Sequence, residues 1–297
     1  MTLAFPTFTR PGRRSSGLWR TWRRIPLGIR LCFLLAALML LAAALAPWVA
    51  PMDPDHQSLL SRLRPPVGFE RAKAGYLLGT DQLGRDVLSR CIHGLTVTLG
   101  MAALGATISL SLGTGLGLLS GYVGGRLDDL IMAIVDIQIA VPFTLVALLV
   151  VAIAGTGIEV LILVLGIAYW EQYARIVRGQ VLALRTLPFV EAGRAIGMSN
   201  ARLVFRHILP NVASPIIVQA TLVISNLILL ESSLSFLGLG IQPPTASLGS
   251  MVGQGRDYMA SAPWIVAAPA LLIVAVALVV LLIGDWLRDT LDVRLAD

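Results

Sequence analysis

The chain has 297 residues, 56% of them hydrophobic and 13% charged, with a formal net charge of +6 and a mean hydropathy of +0.81. Soluble domains carry about 25% charged residues, so the composition excludes an ordinary water-soluble fold and points to a polytopic membrane protein. All but one of the 23 basic residues are Arg, and they cluster, so their positions say more than their sum.

In chain order, residues 1–30 form a tail that holds Arg10, Arg13, Arg14, Arg20, Arg23, Arg24 and Arg30 and no acid. A bilayer core takes about 20 apolar residues as helix, and the first such run is 31–50. A basic tail before an apolar run also describes a secretory signal, and Ala44, Leu45 and Ala46 imitate its cleavage site. The length of the run, Pro47 close to its end and five later spans favour an uncleaved helix. Those spans are expected at 96–122, 130–154, 158–173, 213–236 and 264–284, the fourth with room to run on past Glu171. Cys32, in the first apolar run, and Cys91, in a polar stretch, lack metal-ligand spacing and read as two unpaired thiols.

The Lys/Arg bias at span ends sets orientation. It places the 1–30 tail in the cytoplasm, and six spans return the C-terminus to the same side. The segment 175–211 lands there too, with six arginines against one acid, Glu191, while the 51–95 loop falls outside with six basic and five acidic residues. The expected divisions are a cytoplasmic tail 1–30, a first transmembrane helix with its periplasmic loop 31–95, a five-helix core 96–290 and a cytoplasmic tail 291–297. In the second span, Gly100, Gly105, Gly113, Gly115 and Gly117 suit close helix packing, as small residues do in membranes. A flexible gate is the alternative use of the same residues.

Catalytic signatures are missing. The sole lysine, Lys73, lies between two alanines, so the phosphate-loop pattern G-x-x-x-x-G-K-[ST] is absent, as are G-x-S-x-G and H-E-x-x-H. His56, His93 and His207 are far apart, and neither a catalytic residue nor a metal ligand can be proposed. Three carboxylates within or beside spans remain: Asp136, Glu171 and Glu231. Ionisable groups at membrane depth face a bundle interior or a water-filled path, which makes them candidates for a pathway or an inter-subunit contact. Each also has a plainer reading. Glu171 precedes Arg175 by four residues, the favourable order for a helical ion pair. Glu231 is followed by Ser232 and Ser233, which could hydrate it, and Asp136 has no local partner but could pair with another helix.

The most polar helical stretch is EAGRAIGMSNARLVFRHILPN, Glu191 to Asn211. Pro188 starts a helix that places Glu191 near its positive end, and Gly197 stops it. Ser199 or Asn200 can cap a second helix, with Arg202 and Arg206 four residues apart on one side, and Pro210 is expected to end it. Tethering to six spans disfavours a DNA reader. A surface-lying amphipathic helix and a docking knob for a cytoplasmic partner both remain open.

The pattern E-A-G-x-x-x-G followed by H-I-L-P resembles the EAA loop of membrane subunits of binding-protein-dependent ABC importers, with Glu191, Ala192, Gly197, Leu209 and Pro210 on the motif. The stretches LGTDQLGRDVLSR (78–90), SFLGLGIQPP (235–244) and GDWLRDTLD (284–292) resemble the "C"-type subunits of the dipeptide/oligopeptide/nickel group. The resemblance implies an all-α, six-span, type I importer permease in the bacterial inner membrane, with the 186–211 loop docking on an ATPase. It implies a second permease subunit, two cytoplasmic ATPase subunits that use ATP and Mg, and an external binding protein. No cofactor is expected on this chain and no nucleic acid is a partner. Peptides are the first choice of cargo, with nickel chelates, glutathione, oligosaccharides or opines also within the group. Three positions depart from the pattern: Gly193 where Ala is usual, Leu248 where Trp is usual, and Val293 where Pro is usual. Gly193 lowers helix propensity by about 1 kcal/mol, and Leu248, on the outer side, bears on how the binding protein is met. The alternative class is an ion-coupled secondary transporter using Asp136 or Glu171, but no repeat between the halves supports it. A membrane enzyme is disfavoured because no nucleophile–base pair can be named.

Overall fold

The computed structural model describes residues 25–291, and its described elements are helical apart from one isolated bridge between Thr80 and Asp86. Helix α1, Leu27–Ala44, follows Pro26 and starts about a turn earlier than expected, taking in Arg30. It also stops earlier. Pro47 lies in the first turn of the short α2, Ala46–Val49, and its ring cannot continue α1 without clashing with the carbonyl four residues back.

Helix α3, Val87–Val123, is 37 residues long and begins nine residues before the apolar run, because Asp86 caps it. The Asp86 carboxylate accepts from Ser89 N at 2.8 Å and from Ser89 Oγ at 2.6 Å, a polar start that a search for hydrocarbon overlooks.

The expected 130–154 span is not one straight helix. It is α4, Gly125–Ala140, and α5, Phe143–Ala154, bent by 88°. The break falls at Val141 and Pro142. A residue before proline is pushed to extended backbone, and Val141 adopts φ −99° and ψ 128°. The fourth span divides into α6, Ile158–Gly166, and α7, Trp170–Leu184, and so runs well past Tyr173.

Beyond α7 lie α8, Pro188–Ala195, and α9, Asn200–Leu203. A π-turn, Val204–Ile208, joins α9 to α10, Leu209–Phe236. The last two helices are α11, Leu248–Gly255, and α12, Trp264–Leu291. Among the described residues, five helical runs are long and apolar enough to cross a membrane, and the bent α4–α5 pair makes a sixth if taken as one span.

The bundle is centred on α3 and α7, where backbone meets backbone. A Cβ on Gly117 would lie 2.6 Å from Ala174 O, one on Gly121 2.8 Å from Val181 Cβ, and one on Gly113 would strike Trp170 O. Gly105 does the same against Leu165 Cβ at 2.9 Å, whereas Gly100 and Gly115 face open space. Packing thus accounts for three of the five glycines singled out in this helix. Hydroxyls add ties across helices, Ser109 Oγ donating to Gly166 O at 2.7 Å and Ser225 Oγ to Ala277 O at 3.1 Å. Only 11% of α1 is buried, against 56% of the apolar stretch of α6–α7, so α1 is peripheral and presents Leu31, Leu34 and Leu38 outward. It touches the bundle partly through Phe33, set edge-on to Trp286 of α12 at 5.5 Å.

The bundle has two distinct ends. At one, Trp264 Nε1 donates to Thr80 O at 3.1 Å and Leu248 N to Thr98 Oγ1 at 3.0 Å, joining the 45–86 loop, α11 and the start of α12. At the other, Tyr122 OH donates to Asn200 Oδ1 at 2.7 Å and Arg185 Nη1 to Gly121 O at 3.0 Å.

Overpacking against rigid backbone costs about 1–3 kcal/mol. Gly117→Val is therefore expected to lower the thermal unfolding temperature in detergent markedly. Gly115→Val, two residues away in open space, is expected to stay within about 0.5 kcal/mol of the parent.

Candidate functional site

The Pro188–Asn211 segment caps the end of the bundle that holds Tyr122. Pro188 occupies the first turn of α8 and Glu191 follows in the same turn. The C-terminus of α8 is a Schellman motif: Met198 N–H bonds Gly193 O at 3.0 Å, Gly197 N–H bonds Arg194 O at 2.9 Å, and Gly197 adopts φ +79°. The stop expected at Gly197 is where the helix ends. The cap expected from Ser199 or Asn200 is only positional. Ser199 has the extended backbone of an N-cap without a side-chain bond, and the Asn200 carbonyl is taken by Tyr122.

Pro210 does not end the second helix. Helix α9, the π-turn and α10 form one helical run, Asn200–Phe236, of 37 residues. Proline lacks an N–H and would clash with the carbonyl four residues back. The wider π-turn removes that conflict, with Leu209 N–H bonding Val204 O. Asn211 Nδ2 donates to His207 O at 2.5 Å, one turn back.

Glu191, Ala192, Gly197, Arg202, Arg206 and Pro210 are exposed at this end, Leu209 is half-buried, and Gly193 is buried. The exposed face also carries Phe189, Ile196 and Phe205. Gly193 has a packing reason: a Cβ there would lie 2.7 Å from Leu203 Cδ2, and Leu203 is fully buried beneath α8. The two short helices are therefore locked as one unit. The unit is held to the bundle by the Arg194 guanidinium, 5.5 Å from the Tyr122 ring centroid. Nearby, Arg178 clamps Asp128 with bonds of 2.6 and 2.7 Å, and Ser120 Oγ donates to the same carboxylate at 2.5 Å. An apolar cavity of about 480 Å³ opens beside this unit between α3 and α10, lined by Leu110, Thr114, Leu118, Phe205, Leu209 and Ile217.

The three candidate carboxylates have partners that local spacing did not reveal. Arg175 turns away from Glu171 and bonds Asp136 at 2.7 Å, so the expected i,i+4 pair is replaced by a pair between α4 and α7. Both of its members are more than half exposed. Glu171 instead accepts from Gln138 Nε2 at 2.9 Å, and Gln138 Oε1 accepts from Trp170 Nε1 at 2.6 Å. These groups gather on α4 and α7 just before the Pro142 break.

Glu231 is not among them. It is 1% exposed and accepts from Ser235 Oγ and Ser247 Oγ, each at 2.7 Å. Ser232 and Ser233, expected to hydrate it, donate to their own helix at Ile228 O and Leu229 O, both at 2.8 Å. Among the described residues no cluster of His, Cys, Asp or Glu is suited to a metal ion.

At the opposite end, the LGTDQLGRDVLSR stretch forms a buried ionic staple, a role its sequence did not disclose. Asp81 accepts from Leu83 N at 2.8 Å, Arg85 N at 2.9 Å and Arg85 Nε at 2.7 Å. Arg90, fully buried, reaches the same carboxylate at 3.5 Å and Pro54 O at 3.3 Å. Buried charges persist when paired and hydrogen-bonded in this way. Gly84, at φ +72°, lets the turn press on Ser58 O. Leu248 is fully buried, its backbone against Gly94 of α3. Val293 lies outside the described residues.

Residues 113–297 match the family described as "Binding-protein-dependent transport system inner membrane component". The chain is 43% identical over 258 residues to the di/tripeptide transport system permease protein DppC of Pseudomonas aeruginosa, covering 87% of this chain and 85% of that one. It is 39% identical over 267 residues to the dipeptide transport system permease protein DppC of Haemophilus influenzae, with 90% of each covered. It is 37% identical over 280 residues to the glutathione transport system permease protein GsiD of Pectobacterium atrosepticum, covering 93% and 91%. In structure it resembles a chain of the inward-facing MetNI methionine ABC transporter, with a TM-score of 0.54 at 20% identity, covering 67% of this chain and 95% of that chain. That likeness bears on the fold.

Gly193→Ala adds helix propensity worth about 1 kcal/mol but drives a methyl against Leu203, and overpacking costs about 1–3 kcal/mol. The single change is expected to destabilise slightly, and Leu203→Val is expected to relieve it. A double-mutant cycle on thermal unfolding should therefore show favourable coupling between the two positions.

Proposed function

The chain belongs to the family of binding-protein-dependent transport system inner membrane components and is a permease subunit of an ABC importer in the bacterial inner membrane; we propose that its cargo is a di- or oligopeptide. Support for that cargo comes from relatives called di/tripeptide, dipeptide and glutathione transport permeases, the last named for a tripeptide.

One observation carries the coupling assignment. The α8–α9 unit is rigid, ends the bundle on one side, and continues without a break into the 37-residue run Asn200–Phe236. In our reading this end faces the cytoplasm, where its arginines satisfy the positive-inside bias and its exposed face fits a cleft in an ATPase subunit. Glu191, Ala192, Arg202 and Arg206 make the polar contacts there, while Gly193, Gly197, Leu209 and Pro210 hold the shape. ATP and Mg belong to the two ATPase chains, a second permease subunit completes the channel, and an external binding protein delivers the peptide. A rigid displacement of α8–α9 then biases the bundle between two states.

The Asp136–Arg175 pair lies on the exposed side of α4 and α7, while Glu171, which accepts from Gln138, is buried. They are our candidates for lining the path or meeting the second permease subunit. Exposed groups of both signs suit a peptide, which carries both.

Glu191→Ala combined with Gly197→Ala is expected to lower uptake by about tenfold, within the 1–3 kcal/mol typical of coupling between sites. ATP hydrolysis should persist, and membrane insertion should be normal by protease protection. Uptake at the parental rate would sink the coupling assignment. Uptake that survives ATP depletion but collapses with the ion gradient would favour an ion-coupled transporter.

A further inference from the structure

Helix α11 rests on the far end of α10 in an unusual way. Its backbone touches α10 through glycines: a Cβ on Gly249 would lie 2.6 Å from Ser232 Cα, and one on Gly253 2.7 Å from Ser235 O. Gly240, in the connecting loop, is pressed against Ser235 in the same manner. At these positions the backbones of α11 and α10 lie in direct contact along a seam. The tie across it is Glu231. Its Oε1 accepts from Ser235 of its own helix and from Ser247, the N-cap residue of α11, while its Oε2, wholly buried, has no hydrogen-bond partner. Ser247 in turn anchors α11 through a capping box with Ser250.

We propose that Glu231 is a positioning residue that latches α11 onto α10, and that this latch opens and closes during each transport cycle. A carboxylate with one oxygen accepting two hydrogen bonds and the other none regains hydration when the seam parts, so the closed latch holds without being permanent. Room to move exists: a cavity of about 180 Å³, lined by Ser235, Ser250, Gly253 and Arg256, adjoins the seam. The Asn200–Phe236 run carries the coupling segment at its opposite end, so a displacement there reaches the latch through one helix. The inference rests on the importer reading given above.

The test places cysteines at both hydroxyl positions, Ser235→Cys and Ser247→Cys, in the assembled transporter. Cys32 and Cys91 are buried, and each single variant serves as a control. Oxidation is expected to join the two thiols, read by mass spectrometry of the linked fragments, to cut uptake by about tenfold or more, and to be reversed by reductant. Failure of the thiols to join would overturn the juxtaposition. A linked protein that transports like its reduced form would overturn the opening of the latch. Glu231→Gln, which keeps the acceptor, is expected to retain uptake within about twofold, whereas Glu231→Leu, which keeps only the volume, is expected to lose the stimulation of ATP hydrolysis by loaded binding protein. Parental behaviour in the Leu variant would overturn the role of the carboxylate. Linking is read without transport, so a failure of the importer reading itself would appear separately, as ATP-independent uptake by the parent.

Discussion

Backbone-to-backbone contact between α3 and α7 is the constraint from which the remaining arrangement follows. Lipid offers helices no hydrophobic drive toward one another, so association depends on close packing and on hydrogen bonds between spans. Gly113, Gly117 and Gly121 let α3 lie directly on Trp170, Ala174 and Val181. Once that pair is fixed, the ends of α3 act as two mounting points. Tyr122 holds the α8–α9 unit through Asn200 and Arg194, Gly121 holds Arg185 at the end of α7, and Ser89 and Arg90 hold the 45–86 loop through Met52 and Pro54. The polar chemistry of both ends is thus referred to one rigid seam.

The spans were legible because the bilayer imposes length and apolarity on each one. Their ends were not, because caps and prolines set them and both depend on neighbours. Pro142 and Pro210 show the difficulty. At Pro142 the preceding Val141 goes extended and the chain turns by 88°. At Pro210 the preceding turn widens into a π-turn and the helix continues. Neither residue type nor hydropathy separates the two outcomes, and Pro215 and Pro269 also lie inside α10 and α12 without ending them.

The carboxylates repeat the lesson at the level of side chains. Spacing along one helix favoured Glu171 with Arg175, but α4 brings Asp136 and Gln138 against α7 and divides the two residues between them. Ser232 and Ser233 were the near neighbours of Glu231, yet its partners are Ser235 and the distant Ser247. The motif of the 186–211 loop was readable because turn chemistry is local: the positive φ at Gly197 and the proline-led start of α8 need no distant contact. What Gly193 does was unreadable, since its neighbour Leu203 meets it only after the chain has turned back on itself.

The length of the Asn200–Phe236 run has a geometric consequence. At 1.5 Å per residue, 37 residues make a rod of about 55 Å, while the hydrocarbon core of a bilayer is about 30 Å thick. The rod therefore overhangs the membrane, and its tips move further than its middle. A tilt of only ~5° about the centre would carry each tip ~2.4 Å, in opposite directions. That is close to the 2.7 Å reach of the bond from Ser247 to Glu231. As a lever pivoted within the bundle, the rod turns a small push at one end into an equal and opposite excursion at the other.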